Sequence, residues 1–316
     1  MKKVISLSSC LLAEHKMDRD APSYNSSNSR HCQVTNHSSQ TNNTFVNLRS
    51  RYLFAIMKYS AAVLGLLASA AIARPTSEER FNARQARRAA SHGSTPLNKI
   101  GTGVSPNVAG NQTQVSYSTN WSGSVIADPP SGEEWKTVTA EFTVPKPSGS
   151  SGASASAWVG IDGDTCSTAI LQTGVDFTVD SGYDAWYEWY PAYAHDFTLS
   201  ISEGDVIRTT VTASSKKAGK AVIENVTTGK TVTKSLTSTS SLCLENAEWI
   251  VEDFEEGSSL VTLADFGSVK FTNAKATTSS GTVQGPADGT VLDIKQSGSV
   301  KTSVTTGSSS LTVKYV

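Results

Sequence analysis

"YDAWYEWYP", residues 183–191, decides how this chain is read. In an extended strand successive side chains alternate between faces. Asp184, Trp186, Glu188 and Tyr190 therefore share one face, while Tyr187 and Trp189 take the other. A face of two rings and two acids makes a poor core and a good site. The same parity runs outward into three more stretches. In "TAILQTGVDF" it groups Ile170, Gln172, Gly174 and Asp176; in "SAWVGIDGD", Trp158, Gly160, Asp162 and Asp164; in "AEWIVEDF", Glu248, Ile250, Glu252 and Phe254. Any one of these strands alone would read as an edge strand with its acids in water. Four together predict a concave sheet whose cleft has aromatic walls and a lining of carboxyls.

These stretches belong to a long β-type region. From about residue 112, runs such as "KTVTAEFTVP", "FTLSISEGDVIRTTVTA" and "SLTVKYV" alternate with turn residues, and helical periodicity is almost absent. "NVTTGKTV" reads as a hairpin. About two hundred residues of this kind predict an all-β sandwich over 112–316, large enough for one substantial core. Asn111, Asn120 and Asn225 head glycosylation tripeptides, and Asn225, beside the hairpin turn, is the favoured acceptor.

Charge divides the chain. Residues 1–111 carry 14 Lys+Arg against 5 Asp+Glu, whereas 112–316 carry 13 against 23. An acidic domain rich in Ser, Thr and Gly points to an extracellular, acid-tolerant protein and away from nucleic acid. Residues 57–73 have a lysine, a short apolar run and a small-x-small ending at Ala71-Ile72-Ala73, which is the pattern of a secretory signal and too short for a comfortable membrane span. The expected start is then Met57, with 1–56 a non-native extension or, alternatively, a disordered arm. Residues 74–111 are basic by 6 to 2 and read as a propeptide that pairs with the acidic domain near neutrality and loses those partners as carboxylates protonate; a plain linker is the alternative. Cys166 and Cys243 are the two cysteines of the acidic domain and are expected to form a disulfide, free buried thiols being the alternative. No metal or other cofactor is expected.

Several chemistries find no support. The acidic domain has one histidine, His195, read as a surface loop residue; it has no nucleophile elbow and no H-E-x-x-H. On residue types alone, Glu188 and Glu252 could serve as the paired acids of a β-sandwich glycoside hydrolase, and the ring-lined face could be a carbohydrate-binding module.

"NWSG" (120–123), "WVGIDGDTC", "ILQTG", "YDAWYEWYP" and "AEWIVEDFEE", in this order, resemble the fungal glutamic peptidases, or eqolisins, over essentially all of 116–316. The resemblance implies a secreted, acid-active endopeptidase made with a signal and an inhibitory propeptide. It implies a monomer that acts on protein and peptide substrates, folded as a concanavalin-like sandwich of two antiparallel sheets of about seven strands each. It makes Gln172 and Glu252 the catalytic pair and sets Glu248, in "NAEW", aside. Trp121, Trp158, Asp162, Asp176, Asp184, Trp186, Glu188, Tyr190, Phe254 and Glu255 match as substrate-binding residues, and Cys166 and Cys243 fall where the family's disulfide would. In chemical terms a carboxylate can take a proton from water and return it to the departing amine, while a primary amide donates to the oxyanion without ever titrating. Ordinary carboxyl values near 4 then place the optimum below about pH 5.

Overall fold

The computed structural model describes residues 92–104 and 114–316. The extension 1–56, the signal-like stretch 57–73, the arginine-rich start of the basic segment and Asn111 lie outside the described residues.

Two stacked sheets form the domain. The first runs, edge to edge, β1 (Lys99–Val104), β2 (Gln114–Ser118), β13 (Thr290–Gln296), β3 (Trp121–Ile126), β11 (Ala247–Glu252), β5 (Ser154–Ile161), β6 (Ile170–Thr178) and β7 (Gly182–Tyr190). The second runs β10 (Lys230–Thr237), β9 (Ala218–Asn225), β8 (Val206–Ser215), β4 (Trp135–Thr143), β12 (Ser268–Thr278), β15 (Ser310–Tyr315) and β14 (Thr302–Gly307). Two-residue strands raise the totals to ten and eight. The first sheet exceeds seven by β1, His195–Asp196 and Ser299–Val300, the second by Val283–Gln284. Pairing is antiparallel except between β2 and β13, where Val115 lies beside Val291 in parallel. No helix among the described residues is long and apolar enough to cross a membrane.

Burial shows why the two sheets differ in sequence. Strand β4 alternates, with Trp135, Val138, Ala140 and Phe142 turned inward and threonines and charges turned out, as expected of a half-solvated strand. Strands β3, β5 and β11 are buried throughout. One face of each packs on the second sheet, where Trp249, Phe177, Trp189, Phe142 and Phe271 fill the core. The other face is covered too, by a separate cluster of Trp121, Trp158, Ile170, Trp186 and Ile250, with Leu97 packed against it.

The hairpin is present, Asn225 pairing with Lys230, but its asparagine is not a glycan acceptor. Asn225 is fully buried, its Nδ2 donating to Asp205 Oδ2 at 2.8 Å and to the Ser200 carbonyl at 3.3 Å. Asn120 is also buried, its Nδ2 donating to Thr95 and Pro96. The tripeptide rule is local, and here the tertiary fold consumes the amide. His195 is exposed as expected, in a two-residue strand stacked against Tyr187.

Cys166 and Cys243 are bonded, closing 77 residues between the loop after β5 and the approach to β11. On the chain-entropy account a loop of that size contributes about 4 kcal/mol. Replacing both cysteines with alanine should lower stability by about that amount in denaturant titration; a loss under about 1 kcal/mol would show that the loop is held by its other bonds. Asp162 supplies four of those bonds. Its carboxylate accepts the backbone N–H groups of Cys243, Leu244, Glu245 and Asn246 at 2.8–3.2 Å.

Candidate active site

Register converts the four parity groups into rows across the first sheet. One row reads Glu248, Gly160, Gln172, Glu188; the next Ile250, Trp158, Gly174, Trp186; the third Glu252, Ser156, Asp176, Asp184, with Trp121 beside Glu252. The middle row is floored by two indoles and opened by Gly174, where a Cβ would stand 2.4 Å from Trp158 Cβ. Gln172 and Glu252 thus flank a depression from opposite ends. Trp121 meets Trp158 edge-on at 4.9 Å and 80°. Trp158 Nε1 donates to Glu252 Oε2 at 2.9 Å, Gln172 Nε2 donates to Glu188 Oε2 at 3.3 Å, and Trp186 Nε1 donates to Ser156 Oγ at 3.0 Å.

A strap formed by residues 92–98 lies in this depression. His92 and Gly93 pair antiparallel with Glu256 and Glu255. His92 Nε2 stands 3.1 Å from Asp176 Oδ2, and its ring lies 4.3 Å from that of Phe254. The Ser94 amide donates to Glu188 Oε2 at 3.1 Å, its hydroxyl donates to Glu252 Oε2, and the Thr95 amide donates to Glu252 Oε1 at 3.2 Å. Further along, Leu97 N donates to the Gly163 carbonyl and Asn98 N to Asn120 Oδ1. One residue, Ser94, therefore touches Glu252 with its side chain and, with its backbone, the acid that holds Gln172.

Burial dominates the electrostatics. Glu252 is fully buried beneath the strap, and loss of water pushes its carboxyl up to about 8; the Ser94 hydroxyl, the Thr95 amide and Trp158 pull it down but do not prevail. Glu248 is held well above its ordinary value by burial and, secondarily, by the charges of Asp162 and Asp164. Asp253 is raised to about 7 by burial, against a 2.6 Å hydrogen bond from Gln296.

Most of the residues expected at the site are brought together. Trp121, Trp158, Gln172, Asp176, Asp184, Trp186, Glu188, Glu252 and Phe254 line the cleft or its floor, with half-buried Tyr190 and Glu255 at its margin. Asp162 is the exception. Strand β5 ends at Ile161 and the chain turns through φ 71° at Asp162, so parity no longer applies and the carboxylate goes to the 243–246 loop. Ser156, Asn120 and the particular residues of the basic segment that occupy the cleft were not anticipated. Ser156 follows the parity of Trp158 and could have been found; "HGSTPLN" has no periodicity to betray it.

Residues 119–315 match the family described as Peptidase A4. The chain belongs to the Peptidase A4 family. It is 50% identical to Aspergillopepsin-2 of Aspergillus niger over 287 residues, covering 82% of this chain and all of that protein. It is 46% identical to Scytalidopepsin B of Scytalidium lignicola over 233 residues, covering 70% of this chain and 85% of that one. Among solved structures it is similar to scytalido-glutamic peptidase with a transition state analog inhibitor, at a TM-score of 0.59 and 43% identity over 63% of this chain and 98% of that one. As a Peptidase A4 member the chain is a glutamic-type peptidase with protein substrates, and the glycoside-hydrolase and sugar-binding readings fall away.

Proposed function

We propose that this chain is the precursor of a secreted acid endopeptidase in which Glu252 is general base and then general acid, and Gln172 stabilises the oxyanion. The observation that carries this reading is Ser94, a residue of a peptide lying in the cleft, which bonds to Glu252 and to the Glu188 carboxylate that orients Gln172. A substrate following the same course would bring its scissile carbonyl between them.

The proposed steps follow from the groups present. Glu252 takes a proton from a water as that water attacks the carbonyl carbon. Gln172 Nε2 donates to the oxygen on which negative charge develops, a task an amide performs at any pH. Glu252 returns the proton to the leaving nitrogen as the C–N bond breaks. No covalent intermediate is required. The tryptophans and Phe254 supply apolar walls, and the flanking strands meet an extended substrate.

A base buried to a value near 8 would be protonated and useless in acid. Removal of the strap readmits water to Glu252 and reverses the largest cause of that displacement, while Trp158 continues to favour the carboxylate. The base then returns toward ordinary carboxyl values near 4, which supports an optimum below about pH 5. The strap is accordingly read as the inhibitory part of the 74–111 propeptide. Protonation of Glu252 by itself favours the strapped form, so release in acid rests on the domain's other carboxylates, whose protonation removes partners of the basic segment. The signal-like stretch 57–73 supports an extracellular site of action.

The test is to acidify the purified precursor to pH 3–4 with denatured protein as substrate. Cleavage of the strap and proteolysis are expected together, and both should be absent from Gln172→Ala and Glu252→Ala; undiminished proteolysis by the Glu252 variant would overturn the assignment. A synthetic peptide spanning 90–99 should inhibit the activated enzyme. Its Ser94→Ala form should bind about three- to tenfold more weakly, the usual worth of a hydrogen bond to a neutral group, and equal inhibition constants would show that Ser94 is not what seals the site.

A further inference from the structure

Glu248 is the acid that the sequence motifs set aside, yet it is Glu248, not Glu252, that stands in register with Gln172. The cross-strand row runs Glu248, Gly160, Gln172. Gly160 leaves a gap between the two long side chains, and the Glu248 carboxyl occupies it: a Cβ on Gly160 would stand 2.5 Å from Glu248 Oε1. Both Glu248 oxygens are buried without a hydrogen-bond partner among the described residues, and so is Gln172 Oε1. A buried carboxyl without a donor to answer it is strongly disfavoured as an anion. As a neutral acid it carries one O–H to give, and the acceptor that lacks a donor in the same row is Gln172 Oε1.

We propose that Glu248 is a positioning residue for the Peptidase A4 reaction, donating its carboxyl proton to Gln172 Oε1 across the space left by Gly160. This inference rests on the reading of Gln172 as oxyanion donor. An isolated primary amide can present either end to the cleft. With Oε1 accepting from the Glu248 O–H, and Nε2 already drawn to the opposite side by Glu188, Nε2 is left facing the substrate. In the strap-filled structure Nε2 is given to Glu188; when a substrate carbonyl replaces the strap, the amide turns toward it and Oε1 closes on Glu248. Strand β6 contributes Gln172 and the loop after β5 contributes Asp162 and Asp164, the charged groups that act on Glu248. Their charge and its burial both favour the neutral form that the role needs.

The experiment compares Glu248→Leu, Glu248→Gln and Gln172→Ala, each expressed as full precursor and processed by wild-type enzyme that is then removed. Glu248→Leu removes an unpartnered polar group and should melt no lower than wild type; Glu248→Met stands in should the leucine fit badly. Either apolar variant should keep KM within about twofold and lose about tenfold or more in kcat, short of the hundredfold or greater loss expected of Gln172→Ala. Glu248→Gln, whose amide can still donate, should retain kcat within about threefold. Apolar variants with wild-type kcat, or a glutamine variant as slow as the apolar ones, would overturn the proposal while leaving Gln172 in its role. An active Gln172→Ala would instead remove the reading on which it rests.

Discussion

Glu252→Ala should lower kcat on a peptide substrate at pH 4 by about 100- to 10,000-fold, the range by which positioned acid–base groups accelerate reactions, with KM little changed. Gln172→Ala should cost about 100- to 1000-fold, as loss of one oxyanion donor does. The two act on one transition state, so the double variant should be far less impaired than the product of the single losses. Single-turnover kinetics on strap-free enzyme would measure this without interference from activation. If Glu252→Ala kept near-normal kcat, Glu188, the other acid that Ser94 touches, would be the next residue to test as base.

Stability should fall, not rise, as the precursor is brought from pH 4 toward pH 8. Asp253 and Asp293 are each pushed up from 3.8 to about 7 by burial, Glu252 from 4.5 to about 8, and Glu248 well above 4.5. Between the ordinary and the folded values the unfolded chain has released these protons and the folded chain retains them, so stability decreases with rising pH. The full contribution is present below about pH 4 and is withdrawn up to about pH 7–8. An acid displaced from 3.8 to about 7 opposes folding by about 4 kcal/mol once pH exceeds both values. Two such groups approach the whole margin of a typical domain. The melting temperature should therefore drop by about 20 °C or more across this range, and Asp253→Asn with Asp293→Asn should flatten the slope. A melting temperature that is level or rising from pH 4 to pH 8 would show that these carboxyls titrate normally.

Much of the cleft could be read from the chain because strand parity is a local property. Alternation alone placed Asp184, Trp186 and Glu188 on the cleft face and Trp189 in the core, and the motifs added which glutamine and which glutamate to compare. Asp162 escaped because parity holds only while the strand lasts, and the backbone reverses hand at that residue. Asn225 escaped because a glycosylation tripeptide reports nothing about burial. Register is the deeper omission. The row that aligns Glu248 with Gln172 is set by β5 pairing with its neighbour β6 and by β11 pairing with β5, the latter a contact between residues some ninety positions apart, and a strand shifted by two residues would preserve every face while changing every neighbour. Which part of the basic segment would lie in the cleft was invisible for a similar reason: apart from His92 and Leu97, its amides and one hydroxyl make the contacts, and almost any sequence has amides.

Crystals of strap-free enzyme holding a phosphinic peptide, whose tetrahedral phosphorus imitates the hydrated scissile carbon, would test the central claim most directly. One phosphinyl oxygen should lie about 3 Å from Gln172 Nε2 and the other about 3 Å from the Glu252 carboxyl, the reach that donation and proton transfer require. A phosphinate gripped by Glu188 or Asp176 instead, with either Gln172 or Glu252 turned out of contact, would contradict the account.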